Sequence, residues 1–343
     1  MSHHIEDLLS EWQAAPKDGW VLAVVTKVQG SAYRKAGAMM LFHPLGKAIG
    51  MVSGGCLEED LKRHAQRAIQ YNVVVKVKYD ARDESDASYQ LGCGGIVELM
   101  LFPLTQSNHY LQLHLLTEKL NAGDPVFYEL AMTKAGTAAD KMSAAVVHVT
   151  DADYPLHDFQ KAVMLTRAKR EHTTQQYLII PCRPRFHIAI FGGGLDAQPV
   201  ANIASQLGWK VTVIDERTSY ARSYDFPNAR IIKQSSTNLP DSVLCRFDAA
   251  IVMQHNLELD SAALKRLSQV PINYIALLGP PHRRDKVLER VQLTEADFHG
   301  VLAAPAGLAL GGELPESVAL SILAQCHGVL HNASQFALEK VML

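Results

Sequence analysis

The sequence lacks the residue patterns that mark several common classes of protein. Its five cysteines form no C-x-x-C pair, their number is odd and their spacing is long, which argues against a zinc ribbon or a disulfide framework. Its 15 histidines include no H-E-x-x-H pattern. No apolar run approaches the roughly 18 residues of a membrane span, and the acidic N-terminus is wrong for a signal peptide. These absences predict a cytoplasmic protein with reduced thiols and no membrane partner.

The chain also lacks an excess of either charge. It has 33 basic and 35 acidic residues and a net charge of −2, so it carries no electrostatic footprint of nucleic-acid binding. It does contain enough apolar material for sizeable cores, because 48% of its 343 residues are hydrophobic. A chain of this length is expected to form two domains.

Two short segments each place a single cysteine beside glycines. They read Ser53-Gly54-Gly55-Cys56 and Gly92-Cys93-Gly94-Gly95. Glycine lets the backbone approach a ligand closely, and the amides of such a turn can form a concave nest for an anion. Cysteine adds a soft sulfur, which suits a soft metal or sulfur transfer. Two tight turns with small buried thiols are an equally open interpretation.

The first part of the chain predicts a mixed α+β domain over residues 1–180. Three short strands lead into the first cysteine segment and an amphipathic helix follows it, so Cys56 is expected near a helix N-terminus. Residues 107–122 have the apolar spacing of a single helix. The two prolines of Pro181-Cys182-Arg183-Pro184-Arg185 indicate a linker.

The second half, residues 181–343, opens with a fingerprint of dinucleotide binding. An apolar strand at 187–191 precedes a glycine-rich turn, a helix follows, and a second strand ends at Asp215. This is the G-x-G-x-x-A pattern in its strand–turn–helix–strand setting. Gly192 and Gly194 are expected to admit the pyrophosphate of NAD(P) at the helix N-terminus, and Asp215 is expected to contact a ribose.

Strands and helices continue to alternate beyond the fingerprint, which predicts a doubly wound parallel sheet. The predicted fold class is therefore α/β, with an N-terminal mixed α+β domain followed by a Rossmann-like domain. Arg283 and Arg284 follow a buried strand at the predicted ligand-binding edge. They are expected either to hold a phosphate or to begin a solvated helix, and both interpretations stay open.

Four blocks of the sequence together resemble the XdhC/CoxI family of xanthine dehydrogenase accessory proteins. They are Gly30–Ala38, similar to the family's G-S-x-P-R-x-x-G-A; Ser53–Glu58, similar to S-G-G-C-x-E; Gly92–Gly95, similar to G-C-G-G; and the Rossmann half through Pro305–Gly311. Tyr33 stands where the family has proline. In the second half Leu195 replaces a histidine, Ala309 replaces an acid, and Leu314 offers no side-chain cap to the last helix. These departures remove polar groups from the edge where a nucleotide would lie.

The resemblance implies a chaperone that binds molybdenum cofactor as cargo, supports its sulfuration and hands it to an apo molybdenum hydroxylase of the xanthine dehydrogenase type. A cysteine desulfurase-type sulfur donor is a further implied partner, and the short linker makes a homodimer with exchanged contacts the expected assembly. The implied cargo contacts are Arg34, Gly54, Gly55, Cys56, Gly92, Cys93, Gly94 and Gly95. Cys56 or Cys93 would face the molybdenum or its sulfur. The resemblance also implies that the chain is a maturation factor and not itself a hydroxylase.

Two alternative functions stay open at this level. The fingerprint and Asp215 favour an NAD(P)-dependent oxidoreductase with a reactive cysteine. The glycine-flanked thiols favour a nucleotide-linked redox sensor, provided that the Cα atoms of Cys56 and Cys93 come within about 7 Å. The remaining cysteines lie in apolar or linker contexts and are expected to be structural: Cys182, Cys245 and Cys326.

Overall fold

The computed structural model describes residues 3–55, 57–80, 95–151, 161–168 and 174–333, and it forms two compact units. The first unit runs from His3 to Pro184, and the second begins at Arg185. None of the helices within the described ranges is long and apolar enough to cross a membrane.

The first unit contains two antiparallel sheets that contribute to a common hydrophobic core. Its helices are α1 (Ile5–Ala14), α2 (Glu58–Tyr71) and α3 (Leu113–Ala122). Its strands are β1 (Val21–Gln29), β2 (Met39–Phe42), β3 (Ala48–Gly50), β4 (Val75–Asp80), β5 (Ile96–Pro103), β6 (Val126–Ala131), β7 (Ala144–His148), β8 (Val163–Ala168) and β9 (Thr174–Cys182). The two sheets have the strand orders β3-β2-β1-β5-β4 and β7-β6-β9-β8.

β1 is the central strand of the larger sheet, and both of its faces are buried. Alternate side chains project to opposite faces. Leu22 and Val24 therefore pack in the cluster that contains Trp12 of α1, whereas Ala23 and Val25 pack in the cluster formed with α2. A strand that is covered on both sides needs a continuous apolar run, which is what the sequence supplies here. The buried strand fixes the point at which the following loop begins.

Two details of this unit differ from the sequence prediction. The single helix expected over residues 107–122 is broken, because residues 109–111 have left-handed backbone angles. Leu111 is buried at the break and its carbonyl accepts a hydrogen bond from the Tyr128 hydroxyl, so tertiary contacts override the helical spacing. The predicted linker is partly strand, since β9 continues to Cys182, where the side chain is buried.

The second unit is a Rossmann-like domain with one parallel sheet. Its strands are β10 (His187–Phe191), β11 (Lys210–Ile214), β12 (Arg230–Ile232), β13 (Ala249–Val252), β14 (Tyr274–Leu277) and β15 (Val301–Ala303). Its helices are α4 (Ala197–Gln206), α5 (Asp241–Leu244), α6 (Leu257–Leu267), α7 (Pro281–Val291) and α8 (Pro315–Leu330). The strand order is β12-β11-β10-β13-β14-β15, and every pairing is parallel.

Helices cover both faces of this sheet, so two separate buried clusters flank it. α4 and α8 pack on the face of Ile188 and Ile190, and α6 and α7 pack on the face of Ala189 and Phe191. This confirms the α/β class and the doubly wound second domain. The last helix begins at Leu314 without a side-chain cap, as its sequence predicts. The strand order reverses between β10 and β13, which places a crevice at the carboxyl ends of these strands.

Candidate functional site

The topology of the five-stranded sheet brings the glycine-rich segments of the first unit to one edge. β1 and β5 are antiparallel with Gln29 opposite Ile96, so the loop that leaves β1 lies beside the segment that enters β5. β2 and β3 pair with Met40 opposite Gly50, which puts the turn after β3 at the same edge. We call this edge, formed by residues 30–38, 51–55, 57 and 95, the motif edge.

Gly95 shows how closely two of these segments approach each other. A β-carbon at position 95 would lie 2.0 Å from the carbonyl oxygen of Ser31 and 2.9 Å from that of Gln29. Only glycine leaves room for this contact between two stretches of backbone. Packing against the first motif is therefore one reason for glycine at position 95.

Ser53 and Glu58 close the turn that leads from β3 into α2. The carboxylate accepts hydrogen bonds from the Val52, Ser53 and Leu57 amides at 3.3, 2.9 and 3.2 Å, and from the Ser53 hydroxyl. The Ser53 hydroxyl oxygen accepts in turn from the amides of Gly55 and Leu57. Burial raises the pKa of Glu58, but the hydrogen bonds outweigh it and hold the pKa below its ordinary value of 4.5. The chain's own carboxylate thus fills the anion nest predicted from the glycines.

Gly54 and Gly55 are both exposed in this turn, but they differ in what they tolerate. Gly55 has a φ of +106°, which strains any other residue, whereas a β-carbon at Gly54 would meet no atom of the described residues within 4 Å. Open space at Gly54 is what close approach of a ligand requires. The other predicted contacts of the two cysteine segments lie outside the described residues: Cys56, Gly92, Cys93 and Gly94.

Arg34 lies on the loop after β1, in the lining of a cavity of about 330 Å³. The neighbouring Lys35 also lines this cavity. Within the described part of the chain, neither cation has an ion-pair or hydrogen-bond partner on its side chain. The remaining lining residues are Tyr33, Ala36, Gly37, Ala38, Ala162, Ile180 and Pro181. The structure thus places Arg34, one of the implied cargo contacts, beside a second cation of the same cavity.

In the second unit, Asp215 is bound to the glycine-rich turn itself. Its carboxylate accepts a 2.8 Å hydrogen bond from the Gly193 amide and three more from the Arg217 amide, Nε and Nη2. These four donors match the roughly four acceptor positions of a carboxylate, and the side chain has no exposed surface. Burial raises the pKa of Asp215, but the bonds from Arg217 and Gly193 outweigh it and lower the pKa. This arrangement leaves no acceptor position for a ribose hydroxyl.

The segment after β11 also packs onto the turn, a contact that the fingerprint alone does not reveal. Arg217 lies over the Tyr220 ring, 3.7 Å from its centroid. The Ala221 amide donates to the Gly193 carbonyl at 3.0 Å, and a β-carbon on Gly193 would lie 2.3 Å from the Ala221 nitrogen. The sequence signal for this arrangement is an arginine two residues after the acid, close enough to pair with it.

A carboxylate lies at the N-terminus of α4, where a pyrophosphate is expected. Asp196 Oδ2 is 2.6 Å from His255 Nε2, and Asp196 Oδ1 would lie 2.7 Å from a β-carbon on Gly194. The Asp196 side chain accepts no hydrogen bond from the helix amides, but its charge lies near the positive end of the helix dipole. Gly192 has a φ of +119° and packs on β13, since a β-carbon there would lie 2.6 Å from the Met253 carbonyl oxygen. Groups of the protein thus occupy positions that a dinucleotide would need, and the dinucleotide contacts of Gly192, Gly194 and Asp215 stay a prediction.

The two arginines near the carboxyl edge are engaged within the protein. Arg283 Nη2 lies 2.6 Å from Oδ2 of Asp260, whose side chain is almost fully buried. Arg284 pairs with Asp285 and Glu295. Both arginines therefore anchor the first turn of α7, and the phosphate-binding interpretation of the pair is not supported.

The cysteines outside the glycine-rich segments are poor candidates for chemistry. Cys182 and Cys326 are buried. Burial raises the pKa of Cys182 to about 12 and also raises that of Cys326, so both thiols stay protonated. Cys245 is exposed, which differs from the apolar context that its sequence suggests.

The chain thus consists of an antiparallel mixed unit and a Rossmann unit that follows it. The sequence of the first unit contains the two glycine–cysteine segments. These features together define its class of protein. Family models agree: the XdhC and CoxI family matches residues 13–80, and the XdhC Rossmann domain matches residues 188–326. A probable xanthine dehydrogenase component of Bacillus subtilis (strain 168) is 33% identical over 322 residues, which cover 89% of this chain and 91% of that protein. The chain therefore belongs to the XdhC and CoxI family.

Two further relatives resemble the chain over most of its length. The molybdenum cofactor insertion chaperone PaoD of Escherichia coli (strain K12) is 23% identical over 318 residues, which cover 91% of this chain and 83% of that protein. A crystal structure of a xanthine dehydrogenase from Bacillus halodurans has a TM-score of 0.76 and 27% identity, covering 98% of this chain and 97% of that chain. The resemblance predicted from four sequence blocks is confirmed.

Proposed function

We propose that this protein binds molybdenum cofactor as cargo and delivers it to an apo molybdenum hydroxylase of the xanthine dehydrogenase type. The observation that supports the proposal is the motif edge, where the topology brings together the described parts of three glycine-rich segments. Two of these segments contain a cysteine in the sequence. The names of the relatives support it, because one is called a molybdenum cofactor insertion chaperone and another is named as part of a probable xanthine dehydrogenase. A maturation factor needs to hold its cargo and release it, and an exposed glycine turn at residues 54–55 leaves a path for both.

The proposed roles follow the chemistry of the cargo, a phosphorylated pterin with a soft, sulfur-rich metal centre. Cys56 or Cys93 faces the molybdenum or its sulfur, because thiolates are suited to soft metals. Gly54 offers open space for close approach, and Arg34 offers a cation. The remaining proposed contacts are the other glycines of the two segments: Gly55, Gly92, Gly94 and Gly95.

We extend the proposal to two kinds of partner. The chain is proposed to support sulfuration of the cargo by holding it for a sulfur donor of the cysteine desulfurase type. A homodimer is the proposed assembly. The oxidoreductase alternative is weaker, because Asp215 and Asp196 are engaged within the protein at the place where a dinucleotide is expected.

Cargo retention tests the proposal directly. The full chain is purified from cells that make molybdenum cofactor, and bound molybdenum and oxidised pterin are measured. Cys56→Ala and Cys93→Ala are compared with Cys245→Ala, a control that removes an exposed thiol from the second unit. We expect near-equal molar pterin in the wild type and in Cys245→Ala, with a loss in at least one of the other two variants.

A second readout separates binding from delivery. Purified protein with cargo is added to an apo molybdenum hydroxylase, and the gain in hydroxylase activity is compared with that from free cofactor. Absence of pterin and molybdenum from every preparation would overturn the proposal, and NAD(H) in their place would favour the oxidoreductase. Retention by both Cys56→Ala and Cys93→Ala would remove the cysteines from the proposed contacts.

A further inference from the structure

Two places in the first unit are candidates for an anion. One is the glycine-rich turn at residues 53–57, and the other is the loop at residues 33–38 with its cavity. The cargo proposed above carries a phosphate, so the choice between these places sets the direction in which it would lie. The hydrogen bonds and charges of the two places differ enough to decide between them.

The glycine-rich turn already contains an anion. The Glu58 carboxylate accepts from the Val52, Ser53 and Leu57 amides, and the Ser53 hydroxyl takes the Gly55 amide. A phosphate at this turn would lose these donors to the carboxylate and would be repelled by its charge. The turn therefore suits the less charged, sulfur-rich end of a ligand better than its phosphate.

The loop at residues 33–38 has the opposite character. Arg34 and Lys35 line the cavity and have no side-chain partner among the described residues, whereas Lys47 and Lys76 of the same unit pair with Glu11 and Glu98. Arginine and lysine are the side chains that bind phosphate through charge-assisted hydrogen bonds. These two cations are thus available to a ligand.

The loop is held in shape by its packing, so the cavity is preformed. The Gly37 amide donates to the Val25 carbonyl at 2.8 Å, and the Val25 amide donates to the Ala38 carbonyl at 2.9 Å. A β-carbon on Gly37 would lie 2.8 Å from the Ala162 β-carbon and 3.1 Å from Ile180 Cγ2. Ordering the loop therefore adds little cost to binding.

The cavity also lies within reach of the motif edge. Ser31, whose carbonyl packs against Gly95, is three residues before Arg34. Three residues of chain span at most about 10 Å, so the Cα atom of Arg34 lies no farther than that from the Cα atom of Ser31. A ligand in the cavity can therefore extend to the backbone at Gly95, at the same edge of the sheet.

We propose that the cavity at residues 33–38 binds the phosphate of a phosphorylated pterin, which directs the metal end of the cargo toward the glycine-rich turn. The proposal rests on the function proposed above. Arg34 and Lys35 pair with the phosphate, and the apolar wall of Ala162, Ile180 and Pro181 borders the adjoining part of the ligand. Tyr33, which is 64% exposed, offers a ring for stacking on the pterin.

The test uses two fluorescent probes that differ only in the phosphate. Neopterin monophosphate and neopterin are titrated with the purified full chain, and binding is followed by fluorescence anisotropy. We expect the phosphate to strengthen binding roughly tenfold, as charge-assisted contacts do, and added salt to reduce the difference. The double variant Arg34→Ala/Lys35→Ala is expected to bind both probes equally.

Matched controls show whether position or charge alone matters. Arg67→Ala/Lys134→Ala removes the same two residue types from exposed positions outside the cavity lining and is expected to keep the preference for the phosphate. Thermal unfolding of each variant checks that the fold is kept. The same weakening in both double variants would reduce the effect to net charge and overturn the site.

Other results also overturn the inference. They are equal binding of the two probes by the wild type, an unchanged preference in Arg34→Ala/Lys35→Ala, and inorganic phosphate competing as well as neopterin monophosphate. Failure here is distinct from failure of the proposed function. If only this inference fails, cells yield a protein loaded with molybdenum, but Arg34→Ala/Lys35→Ala keeps the preference for the phosphorylated probe. If only the proposed function fails, the purified protein carries no molybdenum, but its cavity still selects the phosphorylated probe.

Discussion

The carboxylate of Asp215 accepts a 2.8 Å hydrogen bond from the amide of Gly193, so the acid of the dinucleotide fingerprint holds the fingerprint's own turn. Arg217 donates to both oxygens of the same carboxylate. The dinucleotide motif is thus complete in the sequence, but in the structure its acid binds groups of the protein itself. A Rossmann fold persists without its usual ligand when internal groups satisfy the polar atoms of the crevice.

Asp215→Asn is expected to lower the free energy of unfolding of the second unit by about 3 kcal/mol, because it breaks a buried charge pair. The measurement is the urea transition that changes the fluorescence of Trp209. Asp241→Asn is the control, because Asp241 also pairs with an arginine, Arg266, but is mostly exposed. This substitution is expected to lower the free energy of unfolding by less than about 1 kcal/mol. Equal stability of the two variants, together with loss of NAD(P) binding in Asp215→Asn, would favour the ribose role.

Glu58→Gln is expected to destabilise the first unit by about 1.5 kcal/mol at pH 7, because a charged acceptor of several hydrogen bonds becomes neutral. The pKa of Glu58 is lowered in the folded state, so its stabilisation is present above pH 4.5 and is lost as the pH falls through that lowered value. Thermal unfolding midpoints of wild type and variant should therefore converge in acid. Glu59→Gln, at an exposed position of the same helix, should leave the pH dependence unchanged.

Gly95→Ala and Gly54→Ala are expected to separate packing from ligand access. The β-carbon of the first would lie 2.0 Å from the Ser31 carbonyl oxygen, which predicts a loss of roughly 2–4 kcal/mol of stability. The second meets no atom of the part of the chain that the structure describes and should change stability by less than about 0.5 kcal/mol. Differential scanning calorimetry measures both. A drop in cargo retention confined to Gly54→Ala would support a contact there, and normal retention would argue against one.

His187 is expected to make the second unit less stable in mild acid. Burial lowers its pKa to about 4, assisted by Lys210, Arg230 and Arg246. The unfolded chain therefore takes up a proton near pH 6.5 that the folded chain resists, and stability falls as the pH drops from 6.5 toward 4. His187→Asn should flatten this part of the curve of urea midpoint against pH, whereas the exposed His299→Asn should reproduce the wild-type slope.

Local patterns in the sequence predict most elements of the fold. The apolar run of β1 and the strand–turn–helix–strand order around Gly192 are both present in the structure. The helix predicted over residues 107–122 fails because periodicity is a weak preference that a buried Leu111 and its bond to Tyr128 outweigh. Long-range contacts of this kind leave no local signature.

The candidate site, like the fold, has features that the sequence predicts and features that it does not. The sequence identifies the glycine–cysteine segments, Arg34 and the family to which they belong. It does not reveal that Glu58 fills the turn beside position 56, or that Lys35, like Arg34, has no side-chain partner among the residues that the structure describes. Those facts depend on which donors and charges meet in space, and a motif records only which residues are present.

The sequence by itself determined the α/β class, the two-part order, the family and the residue types available for a soft, phosphorylated cargo. Only the tertiary structure decided which polar groups satisfy one another. Antiparallel pairing of β1 and β5 brings Ser31 to Gly95, and parallel pairing of β10 and β11 brings Gly193 to Asp215. Hydrogen bonds and charges act over a few ångströms, so strand pairing determines which of the encoded groups meet within the protein and which are left for a ligand.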